Sequence, residues 1–399
     1  MLPTANLKHV LQTGGCWWNY YEKHKDSIRP VVVDNIVKML SCGAHYRGSV
    51  FYTCSNKNCT HTKHVHFTCK SRFCPSCGKK ATSAWIQKQS NLLPQTPWQH
   101  ITFTMPSTLW RLFDLNRHLL NALSGLAAKA LTSIAKAKQL LIGLFVALHT
   151  FGRDLKWNPH LHVSTTTGGL DQHNVWKKLW FKKKALMRAW KYNLLSLLRK
   201  HYKNGTLVLP ESLRQLYPDY ASFTQWLNRL FHKTWIVHCS KPSKSAYHNI
   251  NYLGRYIKRP PIAHSRLKHY DGNKVVFNFL NHKTKQHNDF HCSAQEFIRR
   301  FIQHFPEKGF RLIRYYGFLA NRIRSEKLPR VYTALNQPQP APSLPVRFNY
   351  LLKKEMGFDP LECILCKSRL KLAVIWVGKN HDQIKKQHKN LALMRPCYF

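Results

Sequence analysis

Five cysteines crowd into residues 54–77, as Cys54-x4-Cys59 followed by Cys69-x4-Cys74-x2-Cys77. No other feature of this 399-residue chain restricts its folding so sharply, because thiols this close must either pair with one another or share an ion. The first residues, MLPTANLKHV, hold no apolar signal core, so the chain is expected in the cytoplasm and its clustered thiols read as metal ligands rather than disulfides. Zinc takes four soft ligands in a tetrahedron, commonly as two short pairs. Cys74-Pro75-Ser76-Cys77-Gly78 has the form of one such knuckle: backbone amides turn toward the thiolates, and Gly78 tolerates the tight turn. Cys54 and Cys59 are expected to supply the other pair. Cys69 is the alternative ligand. It replaces one of them, or joins Cys42, His45, His61, His64 or His66 in a second site. With all four positions filled by protein, none is open for catalysis, so a zinc ion here is structural. A group of buried free cysteines is the rival explanation. A further pair, Cys363-Ile364-Leu365-Cys366, lacks the trailing glycine and has no partner pair near it in sequence. It is either a remnant or one half of a site shared with another element.

The charge balance narrows the partner. Lys and Arg number 63 against 17 Asp and Glu, a formal net charge of +46. Such a chain repels itself unless it meets a polyanion, so nucleic acid leads, with a membrane surface the weaker alternative. No acidic residue occurs between Asp34 and Asp114, nor between Asp171 and Glu211, which gives two separate basic surfaces. Hydrophobic residues make up 44% of the chain, enough to bury a core in two or three domains. The apolar stretch Leu140–Leu148 is interrupted by Gly143 and is too short to span a bilayer.

We divide the chain into residues 1–95, a zinc-binding DNA-recognition domain; 96–335, a catalytic domain; and 336–399, a proline-rich linker with a small tail. Leu92–Pro97 forms the first boundary, because two prolines break any element there. Helices are expected at Asp26–Leu40, Asn116–Leu141, Lys177–Lys200 and Ala294–Gln303. Strands are expected at His100–Met105, Leu144–Thr150, His160–Thr167 and Lys274–Phe279, the middle two joined by a ten-residue turn containing Gly152 and Pro159. On a strand, His160 and His162 point to one face and Leu161 to the other, which suits one divalent ion. His149, at the end of the preceding strand, is a candidate third ligand, and Asp154 is a second candidate. Tyr252 and Tyr256 stand one helical turn apart, with Lys258 and Arg259 following them. A phenolate is a nucleophile for phosphate, and nearby cations favour that form. The alternative is a pair of tyrosines making core contacts. In the basic helix, Lys182, Lys183, Lys184 and Arg188 would follow phosphates while Trp176, Trp180, Trp190 and Tyr192 either stack on bases or form a buried stripe.

A zinc knuckle, then His-hydrophobic-His, then Tyr-x3-Tyr in a strongly basic chain resembles the two-tyrosine HUH transposases of bacterial rolling-circle insertion sequences, of the insertion-sequence ninety-one type. The matching segments run in order over residues 20–330. They are Cys69–Cys77, Leu148–Asp154 with Asn158–His162 and Gly168–Leu170, Tyr252–Arg259, then Glu296–Phe301, Lys308–Phe310 and Arg314–Gly317. The resemblance implies an α+β fold, in which a small zinc-binding domain precedes an antiparallel sheet covered by helices, with the histidines central and the tyrosine helix beside them. It implies nicking and rejoining of single-stranded DNA at the ends of the protein's own mobile element, on the nucleoid. Mg²⁺ or Mn²⁺ would sit on His160 and His162, and Tyr252 or Tyr256 would form a 5′-phosphotyrosine. No nucleotide is needed, and the chain holds no GxxxxGK[ST] loop. Three other readings stand beside this one: a three-carboxylate nuclease, a non-catalytic zinc-dependent DNA-binding protein, and a plasmid replication initiator or relaxase with the same chemistry.

Overall fold

The computed structural model describes residues 6–243, 250–251, 254, 260–281, 284–340, 353 and 357–394. The fold is α+β, and its helices and strands are built around separate cores. Helices α1 (Leu7–Gln12), α2 (Cys16–His24) and α3 (Pro30–Leu40) come first. Pro30 occupies the first position of α3, where a missing N–H costs nothing; the helix therefore starts at Pro30 and not at Asp26. The hairpin β1 (Gly48–Cys54) and β2 (Thr62–His66) follows, then α4 (Pro75–Leu92), which opens inside the cysteine knuckle.

The next elements are β3 (Trp98–Phe103), α5 (Trp110–Leu115), α6 (Leu120–Lys136), β4 (Leu141–Phe151) and β5 (Trp157–Leu170). They continue with β6 (Trp176–Lys178), α7 (Lys183–Lys203), α8 (Glu211–Leu216), α9 (Tyr220–His232) and β7 (Val237–Cys239). The basic helix thus begins six residues later than its composition suggests, because Trp176–Lys178 pairs with Gly168–Leu170 as a strand. Beyond them lie β8 (Leu267–Tyr270), β9 (Lys274–Leu280), β10 (His287–Ser293) and α10 (Ala294–Ile302). The chain continues through β11 (Ile313–Gly317), α11 (Arg324–Ala334), β12 (Leu370–Val377), α12 (His381–Lys385) and α13 (His388–Leu393).

The central sheet has the order β11-β4-β5-β3-β7, with β6 on the outer end of β5. Every neighbouring pair is antiparallel. Period-two alternation sorts its residues. Leu144, Val146, Leu148, Leu161, Val163, Ile101 and Phe103 face one way, into a large core shared with α5, α6, α7 and α9. Phe145 and Ala147 face the other way, into a core shared with Trp85 of α4, with Leu328, Val331 and Tyr332 of α11, and with Ile250. A third core joins α1–α3 to β8, β9 and α10 through Trp17, Ile36, Phe277, Phe297 and Phe301. Of the expected linker and tail, residues 336–399, the described stretch 357–394 packs on this third unit. Leu391 and Ala392 enter its core, Trp17 Nε1 donates to His388 Nε2 over 2.6 Å, and β12 pairs with β1.

The β4–β5 connection is shorter than the sequence suggests. Pro159 lies within β5, beside the irregularity between His149 and Phe151, where no ladder N–H is required of it. The five linking residues turn on Leu155, whose φ is +61° and whose side chain is fully buried in the third core. Its carbonyl accepts from Gln303 Nε2 at 2.9 Å and His304 Nε2 at 3.0 Å, and His304 Nδ1 faces Thr150 Oγ1 at 3.2 Å. Burial pushes the His304 imidazole down to about 3. Replacing it, His304→Ala, leaves the Leu155 carbonyl short of a donor in a strained turn and should cost about 2–4 kcal/mol in urea titrations. The pH profile carries a second signature. Below pH ~6.5 the unfolded chain takes up a proton that folded His304 refuses, so wild-type stability should fall by up to ~1.4 kcal/mol per pH unit more than that of His304→Ala.

Candidate functional site

His149 of β4 stands directly opposite His160 of β5, and His162 follows two residues on, so one face of the sheet carries all three imidazoles. Their nearest ring nitrogens lie within 4.8 Å of one another. His160 Nδ1 lies 2.7 Å from the Asn158 carbonyl, an acceptor, so this nitrogen carries the proton and Nε2 is left with a bare lone pair. His162 Nδ1 lies 3.0 Å from His100 Nε2. If His162 offers Nε2 to an ion, its Nδ1–H must donate to His100, which then accepts as a neutral ring. Burial holds His100 down at about 4, with His238 adding to the shift, so that neutral form is the one present near pH 7. Burial also lowers His160. It lowers His162 further, with His149, His160 and His100 contributing. Three neutral nitrogen donors with no carboxylate fit a divalent transition ion better than Mg²⁺. Asp154 stays outside the group and pairs with Lys156 at 3.4 Å. His100 escaped the sequence reading, although alternation along its strand places it on the same face as His162 through the Thr102–His162 pair.

Tyr252, Tyr256, Lys258 and Arg259 lie outside the described residues. Described residues precede, separate and follow them. Ile250 is buried with Trp85, Phe145 and Ala147, on the imidazole-bearing face of the sheet. A Cβ at Gly254 would come within 2.4 Å of Ile86 Cγ1, so the backbone there lies directly against α4. A Cβ at Gly78, the knuckle glycine, would sit 2.8 Å from Pro260 Cδ and 2.7 Å from the Arg72 carbonyl. Helix α4 therefore meets the chain both between the two tyrosines and just after them.

The cysteines assemble differently from the expected set. Cys42, Cys69, Cys74 and Cys77 form one tetrad, with Sγ separations of 3.7 Å for Cys42–Cys77, 3.6 Å for Cys69–Cys77 and 3.7 Å for Cys42–Cys74. The amides of Cys69 and Ser71 point at Cys42 Sγ and Cys69 Sγ, each over 3.4 Å. Cys54 and Cys59 are absent from this tetrad and meet Cys363 and Cys366 instead. The reason is strand length. Cys42 and Cys69 flank the base of the β1–β2 hairpin, tied by Gly43 N to Phe67 O, whereas Cys54 ends the extended β1, ~20 Å away at ~3.3 Å per residue.

A cleft of about 600 Å³ opens beside the imidazoles, lined by His149 together with Lys70, Arg72 and Arg311. Sequence reading did not single out these three cations, because they come from separate segments. Lys182, Lys183, Lys184 and Arg188 are exposed at the start of α7, where no acidic residue offsets the positive helix end. Among the aromatics there, Trp180 is 60% and Tyr192 62% exposed, while Trp190 is core. These observations predict the behaviour of the imidazole site in calorimetry. Mn²⁺ affinity should change less than about twofold from pH 7.5 to 6.5, where two ordinary histidines would lose about threefold. His100→Ala should weaken binding by about tenfold or more.

Comparison with known proteins fits this arrangement. Residues 143–327, which hold the three imidazoles and the tyrosine pair, match the family described as "Putative transposase". Residues 15–105, which hold the first cysteine tetrad, match the "Transposase zinc-binding domain". The chain is 41% identical over 394 residues to the transposase for insertion sequence element IS801 of Pseudomonas savastanoi pv. phaseolicola, covering 98% of this chain and 94% of that protein. It is 32% identical over 298 residues to the Putative transposase y4qJ of Sinorhizobium fredii, covering 71% and 74%. No solved structure matches it. With both domains present in order and the likeness to one relative running nearly end to end, the chain belongs to the zinc-binding, DNA-binding transposases of the insertion-sequence ninety-one type.

Proposed function

We propose that this transposase nicks and rejoins single-stranded DNA by tyrosine transesterification in rolling-circle transposition. The observation that carries the reading is that Ile250, just before the tyrosine pair, is buried on the same sheet face as His149, His160 and His162, while Gly254, between the tyrosines, lies against α4, whose Trp85 enters that same core. The substrate is the single-stranded end of its own mobile element, met on the nucleoid in the cytoplasm. No described helix is long and apolar enough to cross a membrane.

In this reading His160 and His162, with His149 as third ligand, hold Mg²⁺ or Mn²⁺, which supplies Lewis acidity at the scissile phosphate. A phenol titrates near pH ~10, so the neighbouring Lys258 and Arg259 serve to favour the phenolate of Tyr252 or Tyr256. The phenolate oxygen attacks phosphorus, the bond to the 3′-oxygen breaks, and that oxygen takes up a proton. The products are a 5′-phosphotyrosine and a free 3′-OH. Because the new phosphodiester keeps the bond energy, a later 3′-OH reverses the step and joins strands without ATP. Two tyrosines allow two strands to be held in turn. Lys182, Lys183, Lys184 and Arg188 would track the backbone, with Trp180 and Tyr192 open to bases. The cleft cations Lys70, Arg72 and Arg311 would hold the phosphates next to the scissile one.

Purified protein, labelled single-stranded DNA from the ends of its element and Mn²⁺ test this on denaturing gels. Wild type should give a slow covalent band that vanishes in the double variant Tyr252→Phe, Tyr256→Phe and falls at least ~100-fold in His160→Ala, His162→Ala. DNA binding that remains salt-sensitive with no covalent band from any protein would instead mark a non-catalytic DNA-binding protein.

A further inference from the structure

The second cysteine group is built from pieces that neither matched domain contains together. Cys54 and Cys59 lie within residues 15–105, but Cys363 and Cys366 lie beyond residue 327. The Sγ atoms of Cys54 and Cys366 are 3.4 Å apart, those of Cys59 and Cys363 are 3.7 Å apart, and all four lie within 4.8 Å of one another. A disulfide would bring two of them to ~2.05 Å. A tetrahedron with Zn–S bonds of ~2.3 Å has edges of ~3.8 Å, close to the spacing found.

The surroundings match those of a thiolate site. The Asn56 amide points at Cys54 Sγ over 3.4 Å, as the Cys69 and Ser71 amides do in the first tetrad. His61 Nδ1 lies 3.1 Å from the buried Cys363 Sγ, where a ring N–H donates to a thiolate. The loop of the C-terminal pair closes through Lys367 N to Cys363 O at 3.0 Å and Cys363 N to Ser368 O at 2.8 Å. Lys367 follows the pair where a knuckle usually carries glycine, and it adopts the left-handed φ of +62° that glycine would take. A missing glycine is therefore no sign that the knuckle has decayed.

The strand beside the group also calls for a clamp. β12 covers one edge of β1, yet every residue from Lys371 to Val377 is exposed, Val377 to 91%. Apolar burial does little to hold it, while docking it closes a loop between cysteines 304 and 312 residues apart in sequence. We propose that Cys54, Cys59, Cys363 and Cys366 bind a second, structural zinc ion that fastens the chain's C-terminal strand to its N-terminal hairpin. The site does not depend on the strand-transfer chemistry.

Metal content by plasma mass spectrometry on the purified, reduced full-length protein tests it. With His160→Ala, His162→Ala in every chain so that the imidazole site adds no zinc, the otherwise wild-type protein should carry two zinc ions per chain, Cys363→Ser, Cys366→Ser one, and Cys366→His two, because imidazole can replace the lost thiolate. Amide exchange in β1 and β12 should quicken at least ~10-fold in the double serine variant and stay unchanged in β4 and β5. One zinc per otherwise wild-type chain, two in the double serine variant, or an intact mass showing an oxidised cysteine pair would overturn the proposal. If the serine variant does not fold, mercurial displacement from wild type decides: two equivalents of zinc released support the site, and one removes it.

Discussion

The antiparallel ladder between β4 and β5 is the constraint on which the rest depends. Direct pairing of His149 with His160 and of Ala147 with His162 puts nitrogen donors on one face and Leu148, Leu161 and Val163 on the other. A slip of one residue would exchange the two sets, sending imidazoles into an apolar core and leucines toward the cleft. Register is therefore held by burial of the whole opposite face beneath α6 and α7. It is held again at the turn, where Leu155 is sunk in a different core and its carbonyl is tied to Gln303 and His304, the two residues that follow α10.

Helix α4 links metal recognition to the remaining chemistry. It starts within the first cysteine tetrad, and its Trp85 enters the core on the imidazole face of the sheet and donates to Tyr315 over 3.0 Å. Gly78 and Gly254 are the close approaches that bring Pro260 and the backbone at residue 254 against it. The cysteine-bearing unit and the central sheet thus share a wall. A chain of such high positive charge gains a further benefit from this sharing, since the packed joint gathers Lys70, Arg72 and Arg311 around one cleft despite their repulsion.

Much of this was legible in the sequence. Period-two alternation located β4 and β5 and placed His160 and His162 on one face, because that pattern is local. His149 was legible because it ends the preceding strand. The cysteine knuckle was legible, but Cys42 stood only among five candidate partners for Cys69 in a second site, and its place beside Cys74 and Cys77 emerges only once the β1–β2 hairpin brings its base together. The pairing of Cys54 and Cys59 with Cys363 and Cys366 was not, because no local rule spans three hundred residues. The start of α7 was misread for a related reason: Trp176–Lys178 is polar and basic like the helix, and only the partner strand makes it β-structure. His100 acquires its meaning only once β3 is known to lie beside β5.

The docking of β12 onto β1 has a consequence for how the protein is made. The N-terminal hairpin leaves the ribosome early, but one edge of it, half of its outer cysteine group and part of the core around Trp17 are supplied by residues 363–392. Until those residues have been synthesised, the nascent chain carries an open strand edge, two unmatched thiols and an exposed tryptophan face. The unit closes only once residues 363–392 have emerged, so a product terminated before them lacks a complete fold and exposes the surface that those residues cover.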